Sequence, residues 1–145
     1  MTLKKKINKY LNQFETKKRG EETIIVFKDN VDPKLKNSVF KAHGDRLPDD
    51  WIFDIYHSIL GCLADYDIES IDDIDENRSE IVDGLVDVYT SDLTSWLNSD
   101  NRNVYYLTEA QEDYGEEKDG FKLLMMAQYK AIDDIFGEVE SLLTD

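Results

Sequence analysis

The amino-acid sequence predicts an all-α protein, a single compact bundle of five to seven helices with room for one short strand near residues 23–27. Three observations carry that expectation. Apolar residues recur at i, i+3, i+4 and i+7 through most of the 145 residues, the spacing of helices with one buried face. Only Pro33 and Pro48 interrupt the chain, which leaves room for long helices. A chain of this length buries one sizeable core, and no linker is long enough to divide it. Residues 1–145 therefore read as one domain, with a basic amphipathic helix at 1–19 joined to an acidic helical body at 33–145.

Leu3, Ile7, Tyr10, Leu11 and Phe14 share helical spacing, so residues 2–18 read as one amphipathic helix ending before Gly20. Its other face carries Lys4, Lys5, Lys6, Lys9, Lys17 and Lys18. The next run, Thr23-Ile24-Ile25-Val26-Phe27, is β-branched and reads as a short strand. Nothing else in the sequence offers it a partner, so a helical turn or an intermolecular pairing are the alternatives. Asp32-Pro33 is an N-cap followed by proline at the first helical position, opening a helix with Leu35, Val39 and Phe40 that stops near Gly44. Leu47-Pro48-Asp49-Asp50 opens another, with acids in the first turn where the helix dipole favours them. Trp51, Ile52, Ile55, Tyr56, Ile59, Leu60 and Leu63 form its apolar stripe. An acidic connector is expected from Asp65 to Glu76. A helix at 78–98 follows, with Ile81, Leu85, Val88, Tyr89, Leu93, Trp96 and Leu97 inward. After a break at Asn98-Ser99-Asp100-Asn101 come helices at 103–114 and about 119–143. The last carries Phe121, Leu124, Met125, Tyr129, Ile132, Ile135, Phe136, Val139 and Leu143 on a broad apolar face.

The formal net charge of −15 is unevenly placed. Residues 1–42 hold eleven Lys/Arg against five Asp/Glu, a net of +6, whereas residues 43–145 hold six against twenty-seven, a net of −21. Such a body repels itself, and the plainest use of its charge is solubility. The basic N-terminal helix has a first use in folding back to relieve that repulsion. Homodimerisation through residues 2–18 is a second. Direct nucleic-acid binding is not expected from a net of +6 broken by Glu15, Glu21 and Glu22. No apolar run approaches the ~18 residues of a membrane span, so no membrane association is expected. The Lys-rich N-terminus lacks the apolar core of a signal peptide. Cys62 has no cysteine to pair with inside the chain, which is compatible with a reducing cytoplasm.

Nucleophilic catalysis finds no support, because His57 and Cys62 are five residues apart and point in different directions on one helix. Aligning Asp65, Asp67 and Glu69 with positions 1, 3 and 5 of a calcium loop puts Glu76 at position 12. Ser70 then stands where glycine is required, and Asp72 where an apolar residue packs the loop. The pairs Glu80/Asp83 and Glu109/Glu112 have the ExxD and ExxE spacings of all-α, metal-dependent nucleotide hydrolases, but in reversed order and without that family's double-Glu element. No catalytic residue, cofactor or metal ligand is assigned. What the acids do form is rows. Glu80, Asp83 and Asp87 fall at i, i+3 and i+7 opposite the apolar stripe. Asp133, Asp134 and Glu138 lie off the core face of the last helix, and Asp72, Asp73, Asp75 and Glu76 add a further group. Carboxylates on one helix face repeat every ~5–6 Å, a scale similar to the charge spacing of a phosphate backbone.

The segments HGDRLPDDW at 43–51, DVYTSDLTSWL at 87–97 and MAQYKAIDDIFGEV at 126–139 resemble those of a family of uncharacterised small acidic proteins of phages and mobile elements. The resemblance covers about residues 35–143. It implies a mobile-element protein working in the cytoplasm of a host cell, and it transfers no activity and no catalytic residue. The expectation is a non-enzymatic acidic nucleic-acid mimic that inhibits a host DNA- or RNA-binding defence protein, of anti-restriction or anti-CRISPR type. A metal-dependent nucleotide hydrolase and a virion structural or assembly protein are the alternatives.

Overall fold

The computed structural model describes residues 1–43, 49–97, 104–113, 115 and 120–144. Among them are six helices and one two-stranded antiparallel hairpin, a mostly α-helical compact fold. In chain order these are α1 (Leu3–Leu11), β1 (Phe14–Arg19), β2 (Glu22–Phe27), α2 (Pro33–His43), α3 (Asp49–Asp65), α4 (Ile71–Leu97), α5 (Val104–Asp113) and α6 (Gly120–Thr144). The expected helix stop near Gly44, the opening at Leu47-Pro48 and the break at 98–101 fall wholly or partly outside the described residues, as do the side chains of Leu93, Trp96, Leu97 and Phe121.

The N-terminal helix is shorter than its periodicity predicts. It starts where the Thr2 hydroxyl accepts the Lys5 backbone N–H at 3.2 Å, and it ends at Leu11. The chain then turns and runs Phe14–Arg19 as the missing partner of the β-branched strand, in register from Phe14 opposite Phe27 to Arg19 opposite Glu22. Gly20, read as a helix stop, is instead the first residue of a two-residue hairpin loop, at φ +65°. Positive φ at the first loop position and not the second is the pattern of a type II′ turn, which matches the twist of paired strands. Lys17 and Lys18 therefore lie on a strand, not on the basic face of a helix.

The hairpin is fastened by rings. Phe14 and Phe27 face each other across the strands with centroids 5.3 Å apart, and Phe27 meets Phe53 of α3 at 4.7 Å. Phe14 also contacts Phe53, Tyr56 and His57. Tilted and edge-on pairs of this kind add specific attraction to their area burial. Aromatic side chains on both strands thus anchor a ribbon that would be marginal alone.

Helices α3 and α6 are the shared elements of the body: α1 and α2 contact both, β2 contacts α3, α4 contacts both, and α5 contacts α6. Their stripes, Ile52, Ile55, Ile59 and Leu63 from α3 with Ile132, Ile135, Phe136 and Val139 from α6, are fully buried in one continuous cluster. Ile7 and Tyr10 of α1 enter the same cluster, while Leu3 and Leu11 pack half-buried against it. The apolar face expected to serve a homodimer is thus used within the chain. Val88 and Phe40 depart from the predicted stripes, being 71% and 51% exposed.

Two polar networks tie helices together. Ser38 donates to the Glu138 carbonyl at 3.1 Å, so its contact with Tyr56 at 2.6 Å has the phenol as donor. A single serine thereby joins α2, α3 and α6. Likewise Tyr89 donates to Asp54 at 2.8 Å, which makes Ser58 the donor to Tyr89 at 3.0 Å. Both phenols titrate above their ordinary value because burial disfavours the phenolate.

Candidate functional site

The acidic segment expected as a connector from Asp65 to Glu76 is one over residues 66–70, and from Ile71 it is the opening of α4. Ser70 and Asp73 form a reciprocal cap: the Asp73 carboxylate accepts the Ser70 and Glu69 N–H groups at 3.1 and 2.9 Å, while Ser70 Oγ faces the Asp73 N–H at 3.4 Å. The calcium-loop alignment fails here for a local reason, since Ile71 onward is helical and carries Glu76 into the second turn. Among the described residues no group of three or more His, Cys, Asp or Glu side chains is placed to share a metal ion. The Glu80/Asp83 pair faces outward on α4, apart from Glu109 and Glu112 on α5.

With α4 starting at Ile71, the acids of the two expected groups fall on one helix. At 100° per residue Asp72, Glu76, Glu80, Asp83 and Asp87 lie within an arc of about 80° and along about 22 Å of axis. All five are exposed. The buried residues Ile74, Ile81, Val82, Leu85 and Tyr89 occupy the other side of the helix. Glu80 also takes a hydrogen bond from Tyr66. This row is longer than the i, i+3, i+7 triad legible from the sequence.

The remaining predicted acids divide. Asp73 serves as the cap. Asp75 lies on the α6 side of the row, against Glu140, whose carboxyl is raised by desolvation first and then by Asp75. Arg78, the single basic residue of α4, answers that local excess. It reaches Asp133 at 2.8 Å and Glu140 at 2.9 Å, donates to the Asp133 carbonyl at 3.1 Å, and lies over the Phe136 ring at 5.1 Å. Asp133 is therefore half of a clamp between α4 and α6. Asp134 is exposed, about 100° farther round α6. Glu138 lines a groove with Lys34 and Lys41 of α2, so it belongs to the basic side of the molecule.

What adjoins the row is not evident in the sequence. Between α4 and α6 runs a groove of about 580 Å³ lined by Val86, Met125, Met126 and Tyr129, with Asp83 on the α4 rim and Lys130 and Asp133 on the α6 rim. The helical period of α6 places Met125 and Tyr129 on its apolar face. They sit half-buried at the groove's edge, and the available signal was the Met125-Met126 pair, which no single helical stripe can bury on both sides.

The basic helix α1 folds back onto α3 and α6 of the acidic body. Lys9 pairs with Asp32 at 3.1 Å, Arg19 with Glu22 at 3.1 Å, and Lys6 donates to the Leu143 carbonyl at the C-terminal end of α6. Burial raises the Cys62 thiol, and burial lowers His57 against the opposing pull of Asp54. No described helix is long and apolar enough to cross a membrane. Comparison with family models, curated proteins and solved structures finds no match to the chain.

Proposed function

We propose that the protein is a non-enzymatic binding protein whose α4 acidic row occupies the nucleic-acid site of a host DNA- or RNA-binding protein, as an inhibitor carried by a phage or mobile element. The observation that carries this is the row itself: five exposed carboxylates, Asp72, Glu76, Glu80, Asp83 and Asp87, on one face of one helix. A phosphate backbone presents charges in a line to Lys and Arg side chains, and a rigid row of carboxylates presents a similar line without a scissile bond. The helix holds the charges in place before contact, so little ordering accompanies binding. Complementarity of this kind speeds encounter and fixes orientation, and it weakens as salt screens it. The resemblance of the 87–97 and 126–139 segments to mobile-element proteins fits a target in the host cytoplasm.

The test is capture from host lysate on the immobilised chain, followed by competition. The expected result is recovery of a nucleic-acid-binding protein that duplex DNA or RNA displaces and high salt releases. The triple variant Glu80→Gln, Asp83→Asn, Asp87→Asn is expected to lose it. Capture that survives the triple variant, or that nucleic acid fails to displace, would overturn the assignment.

A further inference from the structure

We infer that the groove between α4 and α6 is a docking site for a cationic amphipathic helix of the partner protein. This deepens the acidic-row reading and rests on it, because the groove opens beside the row and shares Asp83 with it.

The floor calls for an apolar anchor. Val86, Met125, Met126 and Tyr129 line about 580 Å³, enough room for one or two large aliphatic or aromatic side chains. Methionine side chains are unbranched and polarizable, so a surface containing two of them reshapes around different anchors. The rims set the sign of the flanking charge. Asp83 stands on the α4 side; on the α6 side Asp133 already shares Arg78 with Glu140, and Lys130 pairs with Asp113 of α5. In α4 as a whole eight Asp/Glu face one Arg. A neutral helix laid here would desolvate Asp83 without a partner, and an acidic one would be repelled. A helix with Lys or Arg on the α4 side of its anchors gives Asp83 and the adjoining row their cations, on the rim opposite Lys130.

Period favours a helix over an extended segment. The carboxylates of the row recur at three- and four-residue intervals, about one helical pitch apart. Cations on a helix laid alongside recur at the same pitch, whereas same-face residues of a strand repeat at roughly 6.6–6.8 Å and drift out of register. A second copy of this chain does not supply the element, since Ile7 and Tyr10 of its own basic helix are buried in its own core.

The chain carries three methionines: Met125 and Met126 in the groove, and Met1, which is 80% exposed and remote in sequence. Labelling the methionine methyl groups with ¹³C therefore reads the groove against an internal reference with no mutation. Two probes are titrated into the full chain, a Leu/Lys helix with its leucines on one face and an oligolysine of equal charge. The expected result is shifts of the Met125 and Met126 methyls with the Leu/Lys helix alone, Met1 unmoved, and affinity at least about tenfold above oligolysine, as burial of even one leucine would give. Met126→Gln should reduce the Leu/Lys helix to the oligolysine level while leaving oligolysine binding intact. Equal affinity for the two probes, unmoved groove methyls, or binding of neither would overturn the groove assignment. The two readings separate cleanly: equal probe affinity with intact DNA-displaceable capture removes the groove and keeps the row, while groove binding without such capture keeps the docking site and removes nucleic-acid mimicry.

Discussion

Asp32 accepts the Lys34 N–H at 2.9 Å, pairs with Lys9, and has its own N–H held by the Gln13 side chain at 2.7 Å. The Lys34 hydrogen bond foremost, aided by Lys9, holds its carboxyl below the ordinary 3.8. A depressed folded-state pKa means that the stabilisation is fully present above about 3.8 and is lost as the pH falls through the lower folded value. Asp32→Ala is expected to cost about 1 kcal/mol in urea unfolding at neutral pH. Asp32→Asn, which keeps a capping oxygen, should cost less and remove this part of the acid dependence. Ser38 offers a second test. Ser38→Ala strands a buried phenol that must donate, whereas Tyr56→Phe leaves Ser38 still donating to the Glu138 carbonyl. The serine variant should be the worse of the two, at roughly 1–3 kcal/mol. The double variant should lose less than the sum, which a double-mutant cycle in denaturant measures.

Between elements, the hairpin and the α4–α6 clamp show what a sequence displays and what it hides. Helices α3 and α6 were legible from their apolar stripes, and α2 from its Asp32-Pro33 opening. Tyr10, Leu11 and Phe14 satisfy a helical period and a helix-to-strand boundary equally well, so the periodicity alone could not end α1. The pairing of Phe14 with Phe27 decides it, and that contact exists only across the turn. Since Gly20 sits at φ +65°, Gly20→Ala should lower stability by about 1–2 kcal/mol. The loss should appear first as faster amide exchange in β1 and β2. The acidic row was half legible for a similar reason: Glu80, Asp83 and Asp87 declared themselves, but Asp72 and Glu76 joined them only once Ser70 proved to be a cap. Arg78 gave no signal beyond being alone. Arg78→Ala should cost about 2 kcal/mol, between the exposed and buried cases for an ion pair. Glu140 titrates above its ordinary 4.5, so the stability gained from its protonated form is complete below that value and lost as pH rises through the folded value. The melting-temperature gap between Arg78→Ala and the parent should accordingly narrow in mild acid, where Glu140 needs its partner less.

For the whole molecule, the −15 charge opposes compaction through long-range repulsion. Screening lengths shrink from roughly 30 Å at 0.01 M salt to 10 Å at 0.1 M. Thermal unfolding should therefore move to higher temperature as NaCl is added across that range. A flat or falling melting temperature would show that specific ion pairs such as Arg78–Asp133 outweigh the diffuse repulsion. Binding through the row should run the other way, weakening over the same interval, so the two measurements divide the charge into the part that burdens the fold and the part that a partner meets.

Helix α4 carries its core residues on one side and its carboxylate row on the other, and the two scripts share almost no letters. Asp72, Glu76, Asp83 and Asp87 can each be exchanged without opening a cavity or stranding a buried group. A lineage pressed by a changing adversary could redraw that face repeatedly while the scaffold stayed constant. The same separation makes α4 a natural place to build a charge library, in which altered recognition would not be confounded by loss of structure.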